Sequence, residues 1–85
     1  MDLSDKFDEY FKDTGIQKMW MANKLGLSRT IFYGMANGRI KVSKRFWSEI
    51  IRLTNGKISI EDLLQDEFKD YPEILALLKA KRIIK

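Results

Sequence analysis

Residues 18 to 38 read KMWMANKLGLSRTIFYGMANG. The apolar residues of this stretch recur at spacings of three and four, which predicts helices and not strands. Gly26 ends a first predicted helix, which covers about residues 17 to 25. Ser28 is a favourable N-cap for a second helix, and Gly38 closes it. The sequence therefore predicts two short helices joined by a tight turn.

The turn between these helices has the residues that a helix-turn-helix requires. Such a motif needs a small residue where the helices approach, a glycine that turns the chain with positive φ, and apolar residues that fix the interhelical angle. Ala22 is the small residue, and Gly26 provides the turn. The apolar contacts come from Leu27, Phe32 and Met35. The pattern predicts a helix-turn-helix.

Four further helices are expected, because strand-like alternation is missing from the rest of the chain as well. Ser59 and Asp62 stand at the spacing of a capping box, with Asp in place of the usual Glu. Pro72 suits the first position of a last helix, which we expect to run to about Ile84. The N-caps expected for the other two are Ser4 and Ser43.

These elements indicate an all-α fold with one domain. We expect a compact five-helix domain over residues 1 to 64, an acidic hinge over 65 to 71, and a C-terminal helix over 72 to 85. The apolar surface of this last helix is too wide for a helix that packs alone against a small domain. It therefore either docks on the core or meets another chain.

The composition argues against catalysis. The chain has 85 residues and contains neither cysteine nor histidine, so it offers no thiolate zinc site, no disulfide and no histidine general base. Paired carboxylates, a nucleophile with a base and a phosphate-binding glycine loop are also missing from the sequence. We therefore expect a protein that is not an enzyme and that uses no metal and no cofactor.

Charge is distributed in blocks along the chain. Residues 14 to 58 carry nine basic side chains against Glu49 alone, whereas residues 1 to 13 and 59 to 73 are net acidic. A basic middle between acidic segments is typical of a protein with one face for a polyanion, although a solvated basic surface without a partner gives the same pattern. The N-terminus lacks the pattern of a signal peptide, and no stretch is apolar for long enough to span a membrane.

The stretch from residue 18 to residue 38 resembles the helix-turn-helix of the Cro and lambda-repressor-like superfamily. The following WSEIIRLTNGKISIEDLL, residues 47 to 64, is similar to the fourth and fifth helices of small Cro-type and YdaS-like regulators. The resemblance covers about Gly15 to Leu64. It implies a five-helix lambda-repressor-like domain that inserts its third helix into the major groove and binds a palindromic operator as a dimer. The expected function is sequence-specific transcriptional regulation, as a repressor or a Cro-like protein.

The resemblance also implies which residues face the bases of double-stranded DNA. They lie at the start of the third helix and one turn later, and they are Ser28, Arg29, Thr30, Tyr33 and Gly34. Arg29 is the main candidate, because a guanidinium can bond guanine O6 and N7 together. Gly34 is explained either by a close approach to the groove or by close packing against a neighbouring helix.

Phosphate contacts are expected from the N-terminus of the second helix, where free backbone amides favour an anion, and from the basic loop that precedes the fourth. The expected residues are Gln17, Lys18, Asn37, Arg39, Lys41, Ser43 and Lys44. A protein that binds DNA in this way would be cytoplasmic and associated with the nucleoid.

Three apolar residues depart from the usual pattern of this superfamily. Met19 and Trp20 stand where polar residues are usual, and Ile31 stands where an exposed residue is common. They are interpreted either as extra core contacts or as a surface that binds protein.

The C-terminal helix lies outside the resemblance. Its role is either packing on its own domain or a homodimer contact, which we favour because half-sites about 34 Å apart require two recognition helices. The expected dimer contacts are Ile74, Leu75, Leu77 and Leu78. The alternative function is an antitoxin or adaptor-type module, in which Met19, Trp20 and residues 74 to 84 bind another protein and DNA binding is secondary.

Overall fold

The computed structural model describes residues 2 to 84; Met1 and Lys85, which the predicted segments 1 to 64 and 72 to 85 include, lie outside it. The described residues form six α-helices and one short 3-10 turn, without a β-strand among them. The expected all-α class is therefore confirmed. The elements are α1 Leu3–Thr14, α2 Lys18–Leu25, α3 Arg29–Ala36, the 3-10 turn Lys44–Phe46, α4 Trp47–Leu53, α5 Ile60–Glu67 and α6 Pro72–Ala80.

The first helix begins earlier than expected. Its N-cap is Asp2, whose carboxylate accepts the backbone N–H of Asp5 at 3.0 Å, and this hydrogen bond lowers the pKa of the Asp2 carboxyl. Ser4 was the wrong choice, because its hydroxyl lies in the first turn and donates to the Asp2 carboxylate at 3.0 Å. The earlier start brings Leu3 into α1, where its side chain is buried.

The turn between α2 and α3 forms as expected. Gly26 has a φ of 69°, and the N–H of Leu27 donates to the carbonyl of Ala22 at 2.9 Å. The Ser28 hydroxyl then accepts the N–H of Ile31 at 3.2 Å and so caps α3. These local hydrogen bonds determine where each of the two helices stops and starts.

The later helices confirm some expected boundaries and correct others. Ser59 and Asp62 form the capping box, and Pro72 is the first residue of α6. Ser43 precedes the 3-10 turn but makes no capping hydrogen bond through its side chain, so α4 begins only at Trp47. Two ranges also change: α5 continues to Glu67, which leaves four residues rather than 65 to 71 as the connection, and α6 ends at Ala80 rather than near residue 84.

The core is built around aromatic side chains of α1 and α3. The ring of Phe32 lies edge-on to the rings of Phe7 and Phe11, with centroids 5.9 and 6.2 Å apart. Ala22 and Met21 of α2 are fully buried in the same cluster. Packing of α1 on α3 and of α2 on α3 therefore fixes the position of the exposed side of α3.

The sixth helix stands apart from this core. None of its residues is buried, and Leu77 keeps 59% of its surface exposed. Beyond the helix, Ile84 is buried, although it does not belong to the core cluster. Within α6 the exposed large apolar residue is therefore Leu77, whereas Ile74, Leu75 and Leu78 are half-buried.

A buried hydroxyl stabilises the turn between α4 and α5. Thr54 donates through Oγ1 to the carbonyl of Ile50 at 2.8 Å and accepts the N–H of Ile58 at 3.1 Å. Both Thr54 and Ile58 are buried, so water cannot replace either partner easily.

We expect Thr54→Val to lower the free energy of unfolding by about 1 to 3 kcal/mol, because the buried N–H of Ile58 loses its acceptor. Thr54→Ser is the matched control, since it keeps the hydroxyl and should retain most of the stability. Urea denaturation of the three chains gives the comparison. Equal stability of Thr54→Val and the parent would contradict this role of the hydroxyl.

Candidate nucleic-acid interface

The first turn of α3 is exposed to solvent. Ser28, Arg29 and Thr30, three of the residues predicted to face bases, all lie on the surface, although the Ser28 hydroxyl is also used to cap the helix. The buried side of the same helix carries Phe32 and Met35. The side of α3 that carries Phe32 and Met35 packs on the core, and the side that carries residues 28 to 30 is accessible to a ligand.

Two cations meet on one aromatic ring beside this turn. The guanidinium of Arg29 lies 5.3 Å from the centroid of the Tyr33 ring, and the amine of Lys18 lies 5.6 Å from it. Tyr33 is half-buried, with its ring edge-on to Phe32. Cation–π contacts of this kind contribute about 0.5 to 1 kcal/mol at exposed sites. The Tyr33 ring therefore connects the N-terminus of α2 to the start of α3. It restrains the side chains of Arg29, the candidate base contact, and Lys18, the candidate phosphate contact.

Lys18 also has an acidic neighbour. Its amine lies 3.9 Å from the carboxylate of Asp8 on α1, and both side chains are well exposed. A solvent-exposed pair of this kind contributes little to stability. The Lys18 amine can therefore exchange this partner for a phosphate at small cost.

Gly34 does not face outward as expected. The residue is buried, and a Cβ built on it would lie 2.5 Å from Cδ1 and 2.9 Å from Cγ1 of Ile40. The loop after α3 therefore packs directly on Gly34, and the N–H of Ile40 donates to the Gly34 carbonyl at 3.0 Å. Close packing explains this glycine, and the neighbour is a loop residue rather than a helix.

Lys41 is occupied by other parts of the chain. Its amine donates to the carbonyl of Glu67 at 2.9 Å, lies 3.5 Å from the Asp70 carboxylate and stands 5.8 Å from the centroid of the Tyr71 ring. These contacts tie the loop after α3 to the end of α5 and to the connection before α6, and the phosphate contact expected at Lys41 stays a prediction. Lys69 adds a second tie, because its amine donates to the carbonyl of Gly38 at 3.1 Å.

The other predicted phosphate contacts lie at the surface. Asn37 accepts the backbone N–H and the Nε–H of Arg39 at 3.1 and 3.3 Å, so its side chain orients the arginine. Gln17, Ser43 and Lys44 are exposed. A residue that the sequence analysis did not select is Arg45, whose guanidinium lies 4.6 Å from the centroid of the Phe46 ring. Its position next to Lys44 in the basic loop was the available signal.

The three unusual apolar residues have different environments. Met19 is half-buried, whereas Trp20 and Ile31 are exposed. The amine of Lys24 lies 5.6 Å from the centroid of the Trp20 ring and covers part of its surface. Extra core contacts therefore do not explain Trp20 or Ile31.

The predicted dimer contacts lie along α6. Ile74, Leu75 and Leu78 are half-buried, and Leu77 is exposed. Of the four, Leu77 alone is exposed enough to contact another chain without rearrangement.

Other kinds of site were also considered. Over residues 2 to 84, no cluster of acidic side chains could hold a metal ion, and none of the helices is long and apolar enough to cross a membrane. Comparisons of the chain with protein-family models, curated proteins and solved structures find no significant match.

Proposed function

We propose that this protein binds double-stranded DNA in a sequence-specific manner and acts as a transcriptional regulator. In this proposal α2 and α3 form a helix-turn-helix of the lambda-repressor-like type, and α3 enters the major groove. The observation that carries the proposal is the exposed first turn of α3 beside the N-terminus of α2, with Arg29 and Lys18 ordered on the ring of Tyr33.

Arg29 has the chemistry and the position of a base reader. An arginine fork matches O6 and N7 of guanine, and each good pair of this kind discriminates by about 1 to 3 kcal/mol. Contact with the Tyr33 ring restricts the Arg29 side chain in the free protein. The side chain therefore loses less conformational entropy when DNA binds. Thr30 lies next to it and can bond a base or a phosphate.

The DNA backbone would be held at two places. The first is the N-terminus of α2, where Gln17 and Lys18 lie beside free backbone amides that favour a phosphate. The second is the loop after α3, with Arg39, oriented by Asn37, and with the exposed Ser43, Lys44 and Arg45. Contacts of this type position the protein without carrying sequence information.

We expect Arg29→Ala to weaken binding to the preferred duplex by about 1 to 3 kcal/mol and to relax the preference at one base pair. Lys18→Ala should instead weaken binding to all duplexes by a similar factor and reduce the salt slope by about 1. Fluorescence anisotropy with labelled duplexes at several salt concentrations measures both effects.

Arg52→Ala is the control for these variants. It removes the same charge from α4, where Arg52 pairs with Glu49 and is not one of the expected DNA contacts. Unchanged affinity and unchanged base preference of Arg29→Ala would reject the role of Arg29.

The exposed Leu77 on α6 supports a homodimer. A helix pair related by a two-fold axis would bury Leu77 and the adjacent apolar residues of both copies. If the helices run antiparallel, the acidic start of one α6, at Glu73, meets the basic end of the other, at Lys79. The same face supports the second candidate, an adaptor or antitoxin-type module, in which another protein covers α6 and the exposed Trp20.

The oligomeric state separates these two candidates. We expect sedimentation velocity to give a homodimer at micromolar concentration, and Leu77→Asp to convert it to a monomer that binds a half-site but loses affinity for the full palindrome. Ile60→Asp is the matched control, because Ile60 is an exposed isoleucine on α5. A parent chain that remains monomeric at high concentration would contradict the dimer and favour a different protein partner.

A further inference from the structure

The exposed start of α3 carries one aliphatic side chain among polar ones. Ile31 keeps 40% of its surface exposed and does not belong to the core cluster. Its neighbours Arg29 and Thr30 are polar and also exposed. The side chain therefore lies where the proposed function puts the edges of the bases.

A second isoleucine, Ile40, packs on the same helix at Gly34. Gly34 is three residues after Ile31, so the two positions share one side of α3. Ile40 lies over Gly34 so closely that its Cδ1 would be 2.5 Å from an added Cβ. The side chain of Ile40, which is half-buried, thus occupies the space that the glycine leaves empty.

The opposite flank of α3 is charged. Tyr33 is two residues after Ile31, which at 3.6 residues per turn places it about 200° around the helix. This flank holds Arg29 and Lys18 on the Tyr33 ring. The helix accordingly presents two different flanks, one cationic and one aliphatic.

Aliphatic carbon has a single apolar partner on the base edges of the major groove, the C5-methyl group of thymine. The other groups that distinguish the base pairs there are hydrogen-bond donors or acceptors, and cytosine has only a hydrogen at C5. We propose that Ile31 reads the methyl group of a thymine close to the base that Arg29 contacts. This inference rests on the proposed function, and it makes A·T specificity at that position a property of Ile31.

Replacement of thymine by uracil tests the inference, because uracil lacks only the C5-methyl group. Each thymine of the preferred duplex is replaced in turn, and the affinity is measured by fluorescence anisotropy. We expect one thymine in each half-site to show a loss of about fourfold, which is the size expected for one buried methyl group. The Ile31→Ala variant should bind the thymine and uracil duplexes equally at that position.

Two further variants complete the experiment. Ile31→Val keeps branched aliphatic carbon at the position, so it should retain the uracil penalty. Ile60→Ala is the matched control, since it removes an exposed isoleucine from α5 and should leave the penalty unchanged. Thermal denaturation followed by circular dichroism confirms that each variant is folded.

The outcomes of this experiment distinguish failure of the Ile31 proposal from failure of the proposed DNA-binding function. Specific binding in which no uracil replacement weakens affinity, or in which Ile31→Ala keeps the full penalty, overturns the role of Ile31 and leaves DNA recognition intact. A chain that prefers no sequence at all overturns both proposals.

Discussion

The positive φ of Gly26 is the constraint on which the arrangement of α2 and α3 depends. A Cβ at this position would meet no other atom within 4 Å, so glycine is required for the backbone conformation and not for space. The turn brings the fully buried Ala22 and Phe32 into one core. A side chain at Gly26 would strain this turn and shift the start of α3, where Arg29 meets Tyr33.

Two lysine hydrogen bonds connect the basic loop after α3 to the end of α5 and the segment that follows it. Lys41 and Lys69 tie the loop after α3 to the connection before α6, through the carbonyls of Glu67 and Gly38. The loop that we propose lies on the DNA backbone is therefore held by the same residues that lead into α6. If α6 forms the proposed dimer contact, these two lysines would connect its position to that of the loop.

Some features set by local chemistry were predictable from the sequence, although the caps expected at Ser4 and Ser43 do not form. The caps at Ser28 and Ser59 and the turn at Gly26 depend on residues within a few positions, and all three form as expected. Gly34 was misplaced because its partner, Ile40, lies in the next loop, and the bond of Lys41 to the carbonyl of Glu67 was missed because that carbonyl is 26 residues away. The approach of Lys18 to Tyr33 depends on the interhelical angle, which no spacing in the sequence reveals, whereas Arg29 and Tyr33 lie four residues apart on α3 and meet through helix geometry.

The most direct test of the central claim is selection of bound duplexes from a randomised DNA pool at about 0.15 M salt, where non-specific attraction is partly screened. Our account predicts enrichment of a palindrome whose half-sites lie about 34 Å apart, one helical turn, with a guanine and a neighbouring thymine in each. Enrichment of no sequence would contradict specific DNA recognition and would favour a protein as the ligand of this fold.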